Sequence, residues 1–264
     1  MMTQENSECT DYDNVIKTLF FKKYEDNKDT NEVEFSKEEL EDVNSKLYES
    51  DKIRRFTKNI PDIIYTYRSR RALPKEILAT GHWIIKPKGK SNYSFIKTKR
   101  YPFVKIQEGL ASIEILNSLP EIVEAYVAND EQGLLSSIRY NRMIDIFTDL
   151  TCFHLHSHIR TTIKDEGQIE IDDIYVGVDQ EGIQYILPLE AKSPDVRDKL
   201  GWVQIANLVR YSQQNFPKLI CRPLAAKPMP DNNICLIEFE DKTDYEDIGI
   251  KNIKVYKLIR RKDT

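Results

Sequence analysis

Apolar residues in the second half of the chain recur with a spacing that changes from helix to strand and back. Leu134 and Ile138, and then Tyr140, Ile144 and Phe147, follow helical spacing within residues 131–147. Strand-like runs follow at 151–163, 168–178 and 183–192, then an apolar-rich helical stretch at 199–214 and two strand-like runs at 218–226 and 234–239. The order α-β-β-β-α-β-β predicts an α/β fold in which helices cover a mixed sheet.

The first half is predicted to be led by helices. Amphipathic spacing indicates a helix over 12–24, a strand follows at 32–35, and Ser36 forms a capping box with Glu39 that starts a helix to about residue 48. Pro61 suits the first turn of a helix over 61–71, and residues 82–86 and 93–97 form a predicted hairpin. This order is that of a winged-helix module, which places a helix in the major groove of DNA and the hairpin against the backbone.

Charge is sharply segregated along the chain. Residues 52–105 contain 15 Lys and Arg against 2 acidic residues, a local net charge of +13 in a chain whose total is −4. A block this basic indicates a surface that faces a polyanion, and the phosphate backbone of a nucleic acid is the favoured partner. We therefore predict a winged-helix-like DNA-binding module over 1–105, a connecting segment over 106–129 and an α/β core over 130–264.

Composition narrows the class of protein. Apolar residues make up 40% and charged residues 31% of the chain, as in a folded globular protein. The four cysteines lie far apart without a CxxC pair, and no apolar run approaches the length of a membrane span. Residues 1–13 are acidic and polar, unlike a secretory signal. We expect a cytoplasmic protein without a membrane partner.

The second and third predicted strands of the core carry the candidate chemistry. Asp172 lies near the start of one strand, and Glu190 and Lys192 lie at the end of the next. A three-residue turn ending at Gly182 would place Asp172 opposite Glu190 and turn Asp173 to the other face of the sheet. A loop longer or shorter by one residue would reverse the two aspartates, so the choice between them remains open.

An acid in the second strand and Glu-x-Lys in the third, within an αβββαβ order, resembles the PD-(D/E)XK nuclease fold of many restriction endonucleases. The matching residues lie in three segments, 170–177, 189–192 and 200–204. Ile171 replaces the proline of the motif. The resemblance implies a restriction-endonuclease-like core in which Asp172, Glu190 and the main-chain carbonyl of Ala191 hold Mg²⁺.

The resemblance also implies the remaining roles at the site. Lys192 would orient or help deprotonate the attacking water and offset charge on the phosphorus. Gln204, on the following helix, would face the metal site or the DNA backbone. His154, His156 and His158 alternate along one predicted strand and could share a face, and a zinc site, a place beside phosphate and simple burial at the sheet edge are the open alternatives.

The basic module supplies the candidate DNA contacts. Arginine can pair with a guanine edge or with phosphate, and the candidates at the end of the predicted helix are Arg68, Arg70 and Arg71. The candidate backbone contacts, in and beside the predicted hairpin, are Lys86, Lys88, Lys90, Lys97, Lys99 and Arg100.

The function these features indicate is a type II restriction endonuclease that cuts double-stranded DNA at a short sequence and leaves 5′-phosphate ends. Cutting both strands of a symmetric site favours a homodimer, and a cognate DNA methyltransferase would be its genetic partner. Two alternatives remain open: a nuclease of DNA repair or recombination, and a DNA-binding regulator without catalytic activity.

Overall fold

The computed structural model describes residues 10–25, 28–107, 109–164 and 166–260. The chain divides into two compact units, Met1–Pro102 and Phe103–Thr264. The predicted connecting segment, residues 106–129, belongs to the second unit and contributes a strand and a short helix to it. No helix in the described part of the chain is both long and apolar enough to cross a bilayer.

The first unit combines helices with a small antiparallel sheet. Its elements are helix α1 (Asp11–Tyr24), strand β1 (Glu32–Ser36), helix α2 (Lys37–Glu49), helix α3 (Ile60–Tyr65), a π-helical turn (Thr66–Arg70), helix α4 (Lys75–Leu78), and strands β2 (His82–Pro87) and β3 (Asn92–Thr98). The strands are ordered β1-β3-β2, and the predicted hairpin is formed by β2 and β3. The capping box of Ser36 and Glu39 is confirmed, with both of its hydrogen bonds present at the start of α2.

The predicted helix over 61–71 differs from the structure in its second half. Regular α-helix ends at Tyr65, and the next five residues form the wider π turn. Within that turn Tyr67 is buried and donates a hydrogen bond from its hydroxyl to Asp13 at 2.6 Å. The π turn thus contains the residue, Tyr67, whose hydrogen bond to Asp13 connects this segment to α1.

Aromatic packing fills the core of the first unit. The ring of Phe20 on α1 lies edge-to-face against Trp83 and Phe95, with centroid separations of 5.2 and 5.1 Å. All three side chains are fully buried. Such contacts add about 0.5–1.5 kcal/mol each to the free energy gained by burying the rings, so they fix α1 on the small sheet.

The second unit is built on one large mixed sheet. Its strands are β4 (Ser112–Leu116), β5 (Thr151–Ile163), β6 (Gly167–Val178), β7 (Gln184–Ala191), β8 (Ile220–Cys221), β9 (Leu224–Met229), β10 (Asn233–Phe239) and β11 (Ile250–Ile259). Its helices are α5 (Glu121–Glu124), α6 (Glu131–Tyr140), α7 (Met143–Thr148) and α8 (Trp202–Asn215). Among the described residues the strand order is β4-β11-β10-β9-β7-β6-β5, with β8 beside β7. The predicted α/β class is confirmed.

Helices cover both faces of this sheet. One core cluster packs α6 and α7 against the sheet, and another packs α8 against the opposite face. Strands β7 and β9 run parallel, as they must when α8 carries the chain back across the sheet between them. The residues on β7 are therefore buried from both sides, apart from its first two positions.

Three details of the second unit differ from the prediction. The helix expected over 131–147 is split into α6 and α7, because Arg142 takes a left-handed conformation with φ 49°. The predicted strand at 218–226 is split into β8 and β9. Strand β11 was not predicted, because charged and polar residues interrupt its apolar residues at irregular spacing.

The pair Arg222–Glu238 generates a prediction about stability. Glu238 is fully buried, and Arg222 contacts its two carboxylate oxygens at 2.9 and 2.7 Å. Arg222→Ala would leave this carboxylate without its main partner, so we expect the free energy of unfolding in urea to fall by about 3 kcal/mol. Lys251 contacts the same carboxylate at 3.0 Å but is 59% exposed, and Lys251→Ala should cost less than about 1 kcal/mol. Equal losses in the two variants would contradict this assignment.

Candidate active site

The hairpin of β6 and β7 places the candidate acids. Gly182 closes its turn with φ +82°, and Asp173 pairs with Leu189, which is the predicted register. One residue earlier on β6, Asp172 accepts a hydrogen bond from the main-chain N–H of Ala191 at 2.7 Å. Asp172 therefore lies beside the Glu190–Lys192 end of β7, and Asp173 points to the opposite face of the sheet.

Asp173 has a complete set of partners on its own face. Its carboxylate is fully buried, and Arg139 on α6 contacts both oxygens, at 2.9 and 2.5 Å. Ser157 and Tyr175 donate to it at 2.8 and 3.1 Å. A carboxylate neutralised in this way holds α6 against the sheet. Asp172, on the other face, is the aspartate that lies near Glu190 in the candidate site.

Glu190 joins two further predicted site residues. Lys192 lies with its Nζ 2.9 Å from Oε1 of Glu190, and both side chains are buried. Gln204 on α8 donates from its amide nitrogen to the same oxygen, and its own Oε1 accepts the N–H of Gly201 at 3.0 Å. Asp172, Glu190, Ala191, Lys192 and Gln204 are thus brought together, as predicted.

Burial and charge repulsion shift the ionisation of the acids. Burial, with the neighbouring charge of Glu190 next, raises the pKa of Asp172 to about 8. Burial also raises the pKa of Glu190. For Lys192, burial alone would lower the pKa, but the charges of Glu190 and Asp198 outweigh it and the pKa is raised. The lysine is therefore held as a cation between acids.

The oxygen ligands at this site are compatible with Mg²⁺. Two adjacent carboxylates and a main-chain carbonyl match the few protein oxygens that Mg²⁺ takes while keeping several waters. A divalent cation between Asp172 and Glu190 would relieve the repulsion that contributes to the raised pKa of Asp172. Within the described residues no three or more His, Cys, Asp or Glu side chains form a metal cluster, and a two-carboxylate site lies below that number.

Two residues next to the site were not predicted. Asp198, in the loop after β7, lies 3.5 Å from the Nζ of Lys192 and accepts the N–H of Ser193 at 2.7 Å. Lys227 on β9 donates to the main-chain carbonyl of Asp198 at 2.9 Å, and burial lowers its pKa. Neither lies in a motif, so only the parallel pairing of β7 with β9 and the fold of the loop reveal them.

The three histidines of β5 do not form one set of ligands. Pairing with β6 shifts between His154 and His156, and His158 has a left-handed backbone with φ 50°. His154 contacts Asp173 at 3.2 Å, whereas His158 lies 3.8 Å from Glu170. The regular alternation that would place all three on one face is therefore broken.

The predicted DNA-contact residues all lie in the first unit, and several have intramolecular partners. Arg71 lies 3.6 Å from Asp13, and Lys88 lies 2.6 Å from Glu32. Two others lie over aromatic rings, Arg70 at 5.2 Å from the Tyr65 centroid and Lys97 at 5.6 Å from that of Trp83. The rest of the set is Arg68 in the π turn, Lys86 on β2, Lys90 in the hairpin turn, and Lys99 and Arg100 after β3.

No protein-family model, curated protein or solved structure matches this chain. Function is therefore inferred from the residues themselves. Three features define the chemistry available at the site. Asp172 and Glu190 are buried acids that repel each other, the ammonium group of Lys192 is buried beside Glu190, and the amide of Gln204 holds Glu190 in place.

The two aspartates predict opposite effects on stability. A carboxyl whose pKa is raised on folding destabilises the protein as pH rises from its ordinary value, near 4, towards about 8. In EDTA at pH 8, Asp172→Asn should therefore raise the free energy of unfolding, and the gain should shrink towards pH 5. Asp173→Asn should lower it by about 2–4 kcal/mol, because Arg139 loses its counterion. Urea unfolding at both pH values measures this, and a loss in Asp172→Asn as large as that in Asp173→Asn would contradict it.

Proposed function

We propose that this protein is a Mg²⁺-dependent endonuclease that hydrolyses phosphodiester bonds in double-stranded DNA. The observation that carries the proposal is the convergence of Asp172, Glu190 and Lys192, all buried, at one end of a hairpin inside an α/β sheet. Unpaired charges are costly to bury, so a site of this composition is favoured where a cation and a polyanionic substrate complete it.

The order of elements around the site supports the same class. When the short helix α7 and the two-residue strand β8 are set aside, helix α6, strands β5, β6 and β7, helix α8 and strand β9 follow the αβββαβ order of PD-(D/E)XK nucleases. The first three strands are antiparallel neighbours, and the fourth pairs with the third in parallel. The acid on the second strand and Glu-x-Lys at the end of the third occupy the positions that this resemblance requires.

Asp172, Glu190 and the carbonyl of Ala191 are the residues that would hold Mg²⁺. When bound, the ion would polarise the scissile phosphate and lower the pKa of a coordinated water. The N–H of Ala191 donates a hydrogen bond to Asp172, and the amide of Gln204 donates one to Glu190. These two bonds would hold both carboxylates in fixed positions. Such supporting hydrogen bonds hold ligands in the geometry that chemistry needs.

Lys192 would act on the reacting groups directly. Its ammonium group would donate hydrogen bonds to the attacking water and to a non-bridging phosphate oxygen, where negative charge grows as the water oxygen bonds to phosphorus. The attacking water releases a proton to bulk solvent, the bond from phosphorus to the 3′ oxygen breaks, and that oxygen takes up a proton from solvent, which leaves a 5′-phosphate and a 3′-hydroxyl. Asp198, 3.5 Å from the Nζ of Lys192, would limit the positions that the lysine side chain can take.

The first unit would bind the DNA. Its order of helix, strand, helix, helix and hairpin, with strands ordered β1-β3-β2, supports the winged-helix interpretation. The π turn with Arg68 and Arg70 would then end the helix that faces the major groove. The hairpin with Lys86, Lys88 and Lys90 would lie against the phosphates. Exposed ion pairs such as Lys88–Glu32 are weak, so phosphate oxygens can replace the carboxylate.

The specific form that we propose is a type II restriction endonuclease. Cutting both strands of a symmetric sequence in one encounter favours two copies of the active site, so this form predicts a homodimer. It also predicts a DNA methyltransferase as the genetic partner that protects host DNA. A nuclease of repair or recombination would share the chemistry and differ in the pattern of its products.

The first test is digestion of unmethylated phage DNA. We expect discrete fragments from wild type with Mg²⁺, none with EDTA, and a rate at least ~100-fold lower for Lys192→Ala, because the transition-state charge loses its donor. Lys218→Ala removes an exposed lysine of the same unit and should cut like wild type. General degradation would favour repair or recombination, whereas a gel shift without cutting, on unmodified and modified DNA alike, would favour the regulator.

Gln204 generates a second prediction. Gln204→Ala removes the hydrogen bond that orients Glu190 and should lower the cleavage rate about 10- to 100-fold. It also removes the bond to Gly201 at the start of α8, which should cost no more than about 1 kcal/mol of stability. Gln213→Ala makes the same change at an exposed position of the same helix and should leave both quantities unaltered. If Gln204→Ala cleaved DNA at the wild-type rate, Gln204 would have no role in the active site.

A further inference from the structure

The loop between α2 and α3 carries a set of cations that the predicted DNA contacts did not include. Residues 52–58, which we term the basic loop, contain Lys52, Arg54, Arg55 and Lys58 and no acidic residue. All four side chains are exposed. In the described part of the chain none of the four has an ion pair, a side-chain hydrogen bond or a ring contact. Among the described residues, these cations therefore have no side-chain partner to displace before they meet a phosphate.

The backbone of the basic loop is held in place although its side chains are exposed. The two carboxylate oxygens of Asp11 accept the main-chain N–H groups of Arg54 and Arg55, at 3.1 and 3.0 Å. The buried side chain of Asn44 donates to the carbonyl of Thr57 at 3.0 Å and accepts its N–H at 3.4 Å. Ile53 is buried in the core at one end of the loop. A loop anchored in this way presents its side chains at little entropic cost.

An exposed aromatic pair lies within this positive surface. Phe56, on the basic loop, is 44% exposed and lies edge-to-face against Tyr48 of α2, itself 47% exposed, with 5.7 Å between the ring centroids. Neither ring belongs to the core of the unit. Aromatic faces interleaved with cations are the composition with which proteins bind the bases and phosphates of unpaired nucleic acid.

We propose that the basic loop binds an unpaired base of DNA, with Phe56 and Tyr48 stacking on the base and Arg54, Arg55 and Lys58 binding the neighbouring phosphates. A phenyl ring has no hydrogen-bonding group, so it gains from a base only when the face of that base is free of its stacked neighbours. The proposal rests on the proposed function for its substrate class and gives the first unit a second recognition element beside the predicted helix and hairpin. It concerns binding alone and needs no catalysis.

The test is fluorescence anisotropy with the full chain in EDTA, where binding is measured without cleavage. Three labelled probes of one sequence are compared: a single strand, a perfect duplex, and the duplex with one unpaired base. We expect Phe56→Ala to weaken binding of the single strand and of the interrupted duplex about 10-fold, and of the perfect duplex less than about twofold. Tyr126→Ala, which removes an exposed ring beside Glu121 and Glu124, should change none of the three.

Salt dependence tests the cations separately. Arg54→Gln/Arg55→Gln should reduce the slope of log affinity against log salt for the single strand by about 1.4, the value for two phosphate contacts. Lys23→Gln/Lys37→Gln removes the same charge from lysines that are already paired with Glu39 and Glu41, and should reduce it by far less. Circular dichroism melting of each variant establishes that the exposed substitutions leave the fold intact.

A fluorescent reporter completes the design. In Phe56→Trp the new indole replaces the exposed ring, and its emission should be quenched by the single strand and not by the perfect duplex. Equal affinity of wild type and Phe56→Ala for the unpaired probes, or equal losses on all three probes, would overturn the proposal. Those outcomes leave the nuclease proposal untouched, because the latter is decided by cleavage in Lys192→Ala.

Discussion

Two carboxylates, Asp172 and Glu190, are buried next to each other, and the groups around them compensate for their repulsion. Lys192 supplies positive charge, the N–H of Ala191 supplies a donor to Asp172, and Gln204 supplies a donor to Glu190. These groups come from the end of β7 and from α8. The hairpin register and the crossover helix must therefore both be in place before the acids can be buried together.

Because side chains alternate along β6, the adjacent residues Asp172 and Asp173 face opposite sides of the sheet and have different surroundings. Asp172 faces Glu190 and has a raised pKa because it is buried near a like charge. Asp173 faces α6, and Arg139 of that helix donates hydrogen bonds to both of its carboxylate oxygens. Ser157 of β5 and Tyr175 of β6 donate to the same carboxylate. One strand thus anchors a helix on one side of the sheet and contributes an acid of the candidate site to the other.

The cations of the first unit fall into two groups, those with partners inside the protein and those with exposed side chains. Several cations near the hairpin and the π turn are paired with acids or lie over rings, as Lys88 does with Glu32 and Lys97 with Trp83. The cations of the basic loop are exposed and lack such partners in the described part of the chain. A binding surface for a polyanion requires charge that is positioned and still available, and an anchored backbone with free side chains meets both requirements.

Much of the architecture and of the site could be predicted from the chain itself. Strand and helix periods are local, so the capping box at Ser36 and the core order through β10 were predicted correctly, apart from the splitting of one helix and one strand. Turn chemistry is also local, and Gly182 set the register that brings Asp172 to the end of β7. The turn left the choice between Asp172 and Asp173 open, and the observation that now favours Asp172 as the site acid is the binding of Asp173 by Arg139 of α6 and Ser157 of β5, which no local pattern reveals.

Contacts between distant segments could not be predicted, because no local pattern encodes them. Strand β11 is stabilised by pairing with β4 and β10 rather than by an apolar run of its own. Asp198 reaches Lys192 from a loop, and Lys227 reaches the main-chain carbonyl of Asp198 from a parallel strand. The sequence by itself determined which residues carry charge and where strands turn. The tertiary structure alone decided which charges are buried together, because burial and pairing depend on what the rest of the chain packs against them.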